Sequence, residues 1–151
     1  MVRRKSHEGD YCPSARSLDV IGDWWSLLIV RDAFDGMTRF SEFQKSLGIS
    51  KNILTRRLRS LVEKGILVLV SPEHGGAHME YRLTEMGRDL FPMMVALRQF
   101  GERHLFAPGE KHSRLVERDT GKEIVLNLRT EDGRPVRAED AVFLRVAEDQ
   151  M

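Results

Sequence analysis

Residues 48–67, GISKNILTRRLRSLVEKGIL, restrict the fold more than any other stretch of the chain. At about 100° per residue, Leu54, Leu58 and Leu61 make one helical stripe, with Val62 at its edge. Asn52, Thr55, Arg56 and Arg59, at i, i+3, i+4 and i+7, make a second stripe nearly opposite. The first stripe demands a core to pack on. The second belongs to a strongly basic segment, in which Lys51, Arg56, Arg57, Arg59 and Lys64 are opposed only by Glu63. A solvated face on an ordinary core helix has the same charge pattern as a nucleic-acid surface, so the neighbouring elements must decide.

Those neighbours have recognisable limits. Cys12-Pro13 opens a first helix, since proline suits the first helical position, and Gly22 closes it. Asp23 is a candidate N-cap for the apolar run WWSLLIVRDAF, which predicts a buried helix ending near Asp35-Gly36. Thr38 is expected to cap the short helix RFSEFQKSL, with Phe40, Phe43 and Leu47 on one face. Gly48 then closes that helix, Ile49 turns inward, and Ser50 caps a helix over 50–64 that Gly65 terminates. ILVLVS predicts a buried strand, PEHGGAH a loop, and MEYRL a second strand. Thr84 is expected to cap one long helix, EMGRDLFPMMVALRQFGERHL, bent by Pro92. APGEKHS reads as a linker. Beyond it, turn signals at Thr120-Gly121 and Asp132-Gly133, with AVFLRV as a last strand, predict an antiparallel β-meander over 114–147.

Behind the opening helix, the order of three helices, a hairpin and another helix is that of a winged helix-turn-helix, an α+β fold. In such a fold the third helix enters the major groove and the hairpin loop is the wing. Within that order the second stripe carries residue types that read base edges: Arg56 and Arg59 for guanine, Asn52 for adenine, Thr55 for a thymine methyl. Ser50, Lys51, Arg39 and Lys45 are placed to meet phosphates. The net formal charge of the whole chain is only +1, but residues 1–106 carry 16 Lys+Arg and 13 Asp+Glu, whereas residues 107–151 carry 8 and 10. The positive charge sits where the expected DNA surface is.

Several linked motifs resemble the HxlR-type winged-helix transcriptional regulators and their MarR-like relatives. They are the Cys-Pro opening, Ile21-Gly22-Asp23 followed by Trp25, Arg39-Phe40-Ser41-Glu42-Phe43, the Gly48-Ile49-Ser50 corner, and Glu80-Tyr81-Arg82-Leu83-Thr84-Glu85. The resemblance covers roughly two-thirds of the chain. It implies a DNA-binding domain over 11–106, followed by a linker and β-rich extension over 107–151. It also implies a homodimer, built from the first and last helices, on an inverted repeat of double-stranded DNA. The stripe Leu90, Met94, Leu97 and Leu105, with Gly101 beside it and Leu18 on the first helix, is the candidate dimer interface. Two places depart from the family pattern. Trp24 stands where a basic residue is usual; it is open to exposure, to a dimer cleft or to stacking on an effector, while Trp25 is expected in the core. The wing carries His74 and His78 in place of Arg or Lys, so its minor-groove contact is expected to be weak near neutral pH and stronger on protonation.

Cys12, at a helix N-terminus, is open to two readings: a redox sensor, as the resemblance implies for some members, or a small capping residue. As the only cysteine it excludes an internal disulfide and a cysteine-based zinc site. His74, His78, Glu73 and Glu80 have helical metal-ligand spacing but lie in a glycine-rich loop, so no metal is expected, and no cofactor either. Some family members carry a cysteine-bearing tail. Here Thr120 and Asp132 precede the corresponding glycines, so the tail must rest on packing, with Val116, Ile124, Val125, Leu126, Leu128, Val136, Phe143, Leu144 and Val146 as its small core. Such a tail is expected to dock on the winged-helix body or a partner subunit, where it could wall a pocket for a small-molecule effector. Arg3-Arg4-Lys5 reads as a loose basic end. No apolar run reaches membrane-span length and the N-terminus lacks a signal-peptide core, so a cytoplasmic protein without a membrane partner is expected. Two rival readings are a winged-helix protein-interaction module without specific DNA binding and a small enzyme built on Cys12. The basic helix argues against the first. The lack of a nucleophile–base set, phosphate loop or carboxylate pair argues against the second.

Overall fold

In the computed structural model, residues 6–144 and 146 are described. They fall into two compact units, the first ending at Asp89 and the second spanning Leu90–Leu144. The basic end Arg3-Arg4-Lys5 lies outside the described residues.

The first unit runs α1 (Pro13–Ile21), α2 (Trp24–Phe34), α3 (Phe40–Leu47), α4 (Lys51–Glu63), β1 (Leu67–Val70), β2 (Glu80–Leu83) and the short α5 (Glu85–Arg88). This is the winged helix-turn-helix order. Pro13 starts α1 and Gly22 ends it. The Asp23 carboxylate accepts from the Ser26 backbone N–H at 2.9 Å and opens α2. Gly48, at φ 63, ends α3 in the left-handed region where a side chain is disfavoured. Two residues later the Ser50 hydroxyl accepts from the Ile53 N–H and starts α4. The helix-turn-helix corner is therefore three residues long, and its middle one, Ile49, is buried.

The core is a single cluster. Ile29 and Val30 of α2, Phe43 of α3, Leu54, Leu58 and Leu61 of α4, and Ile66 and Leu67 at the start of the hairpin are all at most 1 % exposed. The α4 leucine stripe is thus buried as the spacing predicts, and each leucine contributes the burial of a full aliphatic side chain. β1 and β2 pair antiparallel from Leu67↔Leu83 to Val70↔Glu80. The Tyr81 N–H donates to the Thr38 carbonyl at 2.8 Å, and the Tyr81 ring meets Phe43 edge-on at 6.4 Å. The sheet therefore holds the start of α3.

Four expectations for the body are corrected. The N-cap of α3 is Arg39, not Thr38. The reason is Glu42, whose carboxylate accepts from the Thr38 and Arg39 backbone N–H groups, both at 2.9 Å. These two bonds hold the Glu42 carboxyl below the usual carboxylate range. The cap is therefore present near neutral pH and lost as the pH falls through that lowered value. β1 is buried only at its Leu67 end, because a two-stranded sheet leaves Val68 and Leu69 about 40 % exposed. Trp25 is half-buried and outside the fully enclosed core; its ring meets the exposed Trp24 ring edge-on at 5.7 Å. The long helix after Thr84 is broken into α5 and a later helix starting at Phe91. Pro92 has no N–H and its ring would clash with the preceding turn, so it fits only in the first turn of a new helix.

The second unit is α6 (Phe91–His104) and the chain that follows it. Both turn signals fold as predicted: Gly121 and Gly133 have φ of 67° and 87°. The meander they were expected to join does not form among the described residues. Each turn is closed by one antiparallel bridge, Val116↔Glu123 and Arg129↔Pro135, and one 3-10 turn follows at Ala138–Asp140. Pro135 supplies no N–H for a longer ladder. The expected tail core is not assembled either: Val116, Val125, Leu128, Phe143, Leu144 and Val146 are exposed, and only Ile124, Leu126 and Val136 are half-buried. Residues 141–144 of the expected last strand are unpaired, and residues 145 and 147 lie outside the described ones. Two short hairpins with no shared apolar face cannot bury enough surface to make a sheet.

Candidate nucleic-acid interface

α4 is fixed from both ends. At its start the Ser50 cap leaves the first helical amides pointing outward. Near its middle, Arg57 Nε lies 3.4 Å from Asp23 Oδ1, the same carboxylate that starts α2. At its end, Lys64 Nζ donates to the Asp19 and Val20 carbonyls, at 2.7 and 3.3 Å, and so satisfies the C-terminal end of α1. Two of the five cations counted in this segment are therefore spent inside the fold. Sequence periodicity places Arg57 between the stripes but does not show its acid, because Asp23 is 34 positions earlier.

The remaining residues form an open surface. Lys51, Asn52, Thr55, Arg56 and Arg59 are all exposed, opposite the buried Leu54, Leu58 and Leu61. The Thr55 hydroxyl donates to the Lys51 carbonyl at 2.8 Å. Its methyl is the group left for an outside contact. Ser50 accepts from Ile53, so its hydroxyl proton remains available to an external acceptor. Arg39 and Lys45 are exposed at opposite ends of α3. Every residue named from the sequence for this face is thus accessible, and the first turn of α4 carries Lys51 and no carboxylate, whereas the start of α3 carries Arg39 together with the capping Glu42.

The wing loop, residues 71–79, exposes His74 and His78. Its one nearby arginine is not available. Arg82 Nη1 donates to Glu73 at 2.6 Å and Nη2 to Glu80 at 3.0 Å. These partners hold the Glu73 carboxyl below its usual range and raise Arg82 further above its own. The wing therefore presents imidazoles and one arginine held between two glutamates. Glu73→Gln removes the partner nearer the loop tip and frees part of Arg82. It is expected to tighten binding to any duplex roughly two- to fivefold at low salt, with the gain shrinking as salt is raised. Titration of a labelled duplex checks this, and unchanged affinity would mean that the wing stays clear of DNA.

Cys12 is exposed and is the N-cap of α1; its backbone N–H donates to Asp10 Oδ1 at 2.8 Å. Of the candidate dimer residues, Leu18 is 53 %, Leu97 51 % and Leu105 71 % exposed, while Leu90, Met94 and Gly101 are half-buried. α6 also exposes Met93 and Phe100, which the sequence reading did not single out. The opposite face of the helix is covered by its own chain: the Gln99 side-chain amide exchanges two hydrogen bonds with the backbone of Leu126, and Arg98 donates to Ser113. Among the described residues no cluster of three or more metal-ligating side chains is found, and no helix is long and apolar enough to cross a membrane.

Comparison with known proteins agrees with this geometry. The family described as HxlR-like helix-turn-helix matches residues 20–108. The uncharacterised HTH-type transcriptional regulator Rv3095 of Mycobacterium tuberculosis is 43 % identical over 103 residues, 68 % of this chain and 65 % of that protein. The chain thus spans just under two-thirds of that relative's length. The crystal structure of PA1607, named as a candidate transcription factor, superposes with a TM-score of 0.86 at 60 % identity, covering 96 % of this chain and all of that one. The redox regulator HypR in its oxidised form superposes with a TM-score of 0.57 at 33 % identity, covering 64 % of this chain and all of HypR.

Proposed function

The chain belongs to the HxlR-like helix-turn-helix family, and from that premise we propose that it is a dimeric, sequence-specific transcription regulator acting on double-stranded DNA in the cytoplasm. The observation that carries this reading is the exposed stripe Asn52, Thr55, Arg56 and Arg59 on a helix whose other side is the core. α4 lies in the major groove; Ser50, Lys51, Arg39 and Lys45 meet phosphates, and His74 and His78 approach the minor groove. Residues 11–106 form the DNA-binding domain and 107–151 an appended extension. The stripe Leu97, Gly101 and Leu105, with Leu90, Met94 and Leu18, meets its copy in a second chain. The two α4 helices then reach half-sites of an inverted repeat about one helical turn apart.

Redox response is the finer part of the proposal. It rests on Cys12 being exposed at a helix start and on the likeness to HypR. With peroxide as oxidant, the Cys12 thiolate attacks one oxygen, the O–O bond breaks, the sulfur becomes a sulfenic acid, and the departing hydroxide takes a proton from solvent to leave as water. The Cys12 thiol of a second chain then displaces a second water and closes an intermolecular disulfide.

The test is binding to the upstream promoter region and to a scrambled duplex, across salt, with and without peroxide. Preference for the promoter with a steep salt slope is expected. Oxidation is expected to change that preference at least tenfold, and Cys12→Ser to abolish the change. Equal, weak binding to both duplexes would favour the interaction-module reading. An oxidation effect that survives in Cys12→Ser would remove the redox part alone.

A further inference from the structure

Arg57 and Lys64 fix what stands beside the exposed face of α4. At about 100° per residue, Ile53, Arg57, Ser60 and Lys64 run down one flank of the helix. That flank lies between the buried leucines and the stripe Asn52, Thr55, Arg56 and Arg59. From it Lys64 reaches the Asp19 and Val20 carbonyls, and Arg57 reaches Asp23. Ile53, Arg57 and Ser60 are accordingly half-buried. The turn between α1 and α2 therefore lies along α4, and α2 begins beside the middle of it. The first residue of α2 is Trp24. It is 72 % exposed, and no large apolar side chain among the described residues of the first unit is more so. Helical side chains lean toward the N-terminus of their helix, so the indole projects past the start of α2.

A helix about 10–12 Å across fills a major groove about 12 Å wide. Whatever stands on the flank of such a helix therefore meets the sugar-phosphate backbone that borders the groove. On one flank that group is the exposed Lys51. On the other, both cations of α4 are bonded within the fold, and the turn from Asp19 to Trp24 contains no cation of its own. Trp24 is the group left to make contact there. An indole offers a flat apolar face to a deoxyribose and one N–H to a phosphate oxygen, without bringing a charge. We propose that Trp24 packs on the sugar-phosphate backbone at the border of the groove that receives α4, as a neutral contact that positions the helix and reads no base. Because α2 is anchored in the core through Ile29 and Val30, the contact fixes the whole first unit against the duplex. This inference rests on the DNA-binding reading of α4. It also predicts a signature that no cation on this face can give: a loss of affinity without a loss of salt dependence, because no counterion is released at Trp24.

The test compares the parent chain, Trp24→Ala, Trp24→Lys and Lys51→Ala on the upstream promoter duplex and on a scrambled duplex, across salt. Trp24→Ala is expected to weaken both duplexes roughly five- to tenfold with the salt slope unchanged. Lys51→Ala is expected to lower the slope by about one counterion, and Trp24→Lys to recover affinity at low salt while raising the slope by about one. In the parent, the fluorescence that Trp24→Phe removes is expected to become less accessible to acrylamide when the duplex is added. Parent-like affinity of Trp24→Ala, on a duplex that Lys51→Ala binds less well, would overturn the proposal and leave the DNA-binding reading standing. A parent chain that binds neither duplex would overturn both. Shielding of Trp24 that rises with protein concentration in the absence of DNA would overturn the proposal in favour of a seam between two copies. A salt slope that falls in Trp24→Ala would mean that its loss disturbs the cations of α4, and would overturn the neutral contact. The quenching measurement on the parent decides even if a Trp24 variant fails to fold.

Discussion

Alanine at Gly87 is expected to destabilise the protein by about 3 kcal/mol. Local propensity gives the opposite sign. Gly87 lies inside the α5 turn at an ordinary negative φ, where alanine would stabilise by roughly 0.5–1 kcal/mol. Space decides the outcome. A Cβ at this position falls 2.2 Å from the Ile66 carbonyl oxygen and 3.1 Å from Leu83 Cδ2. The leucine methyl can shift, but the Ile66 backbone cannot move cheaply. Ile66 is 1 % exposed, and its carbonyl already accepts from the Thr84 N–H at 3.1 Å and the Thr84 hydroxyl at 3.2 Å. The methyl would lift α5 off the end of the hairpin and break the Thr84 cap, whose hydroxyl accepts from the Gly87 N–H at 3.0 Å. Gly101→Ala is the matching control. That glycine is also helical, and within the chain nothing stands within 4 Å of its added Cβ, so any loss there is expected to arise at the proposed dimer seam and to vary with protein concentration, whereas the Gly87→Ala loss is not. Urea unfolding of both variants checks the pair. A neutral or stabilising Gly87→Ala would show that α5 does not rest on Ile66.

Gly87 also marks the limit of what the sequence discloses. Periodicity and caps located α1 to α4, the hairpin and both glycine turns of the tail, because each depends on a few adjacent residues. The leucine stripe of α4 could be read as buried before any partner was known. Contacts between distant positions could not. A glycine inside a helical pattern reads as a weak propensity signal, with no sign of the carbonyl 21 residues earlier that requires it. Arg57 reads as open to a phosphate or to a partner acid, and Lys64 as one more cation of the basic segment, with no sign that Asp23 and the end of α1 take them. Asp32 falls inside the apolar run without being singled out by it, yet it is buried, with Arg31 bonded to one carboxylate oxygen at 2.9 and 2.7 Å. The tail shows the converse error. Its apolar residues alternate as strands do, and its turns fold, but too few residues pair on each side of a turn to bury a face. Its backbone is met instead by side chains of α6, and no local pattern announces that Gln99 will act as a strand partner.

Arg56→Ala and Lys51→Ala are expected to fail in different ways, and that difference tests the assignment of the α4 surface. Both residues are exposed cations on one helix, so a simple electrostatic surface would lose the same amount from either. Their positions differ. Lys51 is the first helical residue, beside outward-pointing amides, where a phosphate is favoured. Arg56 is a turn and a half further on, in line with Asn52 and Arg59 and on the side away from Leu54 and Leu58. A guanidinium there can present two parallel donors to the major-groove edge of guanine. Removing Arg56 is therefore expected to cost about 1–3 kcal/mol on the preferred duplex, much less on a scrambled one, and to relax preference at one base position. The Arg56→Ala/Arg59→Ala double variant is expected to lose most discrimination while still binding DNA weakly. Removing Lys51 is expected to weaken every duplex alike and to lower the salt slope by about one counterion. Arg57→Ala separates contact from posture: its partner is Asp23 of the fold, so its loss is expected to reduce stability as well as affinity, whereas Arg56→Ala leaves unfolding unchanged. Duplex titrations at several salt concentrations, on preferred and scrambled sequences, read all of these together. If Arg56 and Lys51 proved interchangeable on every sequence, the stripe would be a charged surface and not a reading face.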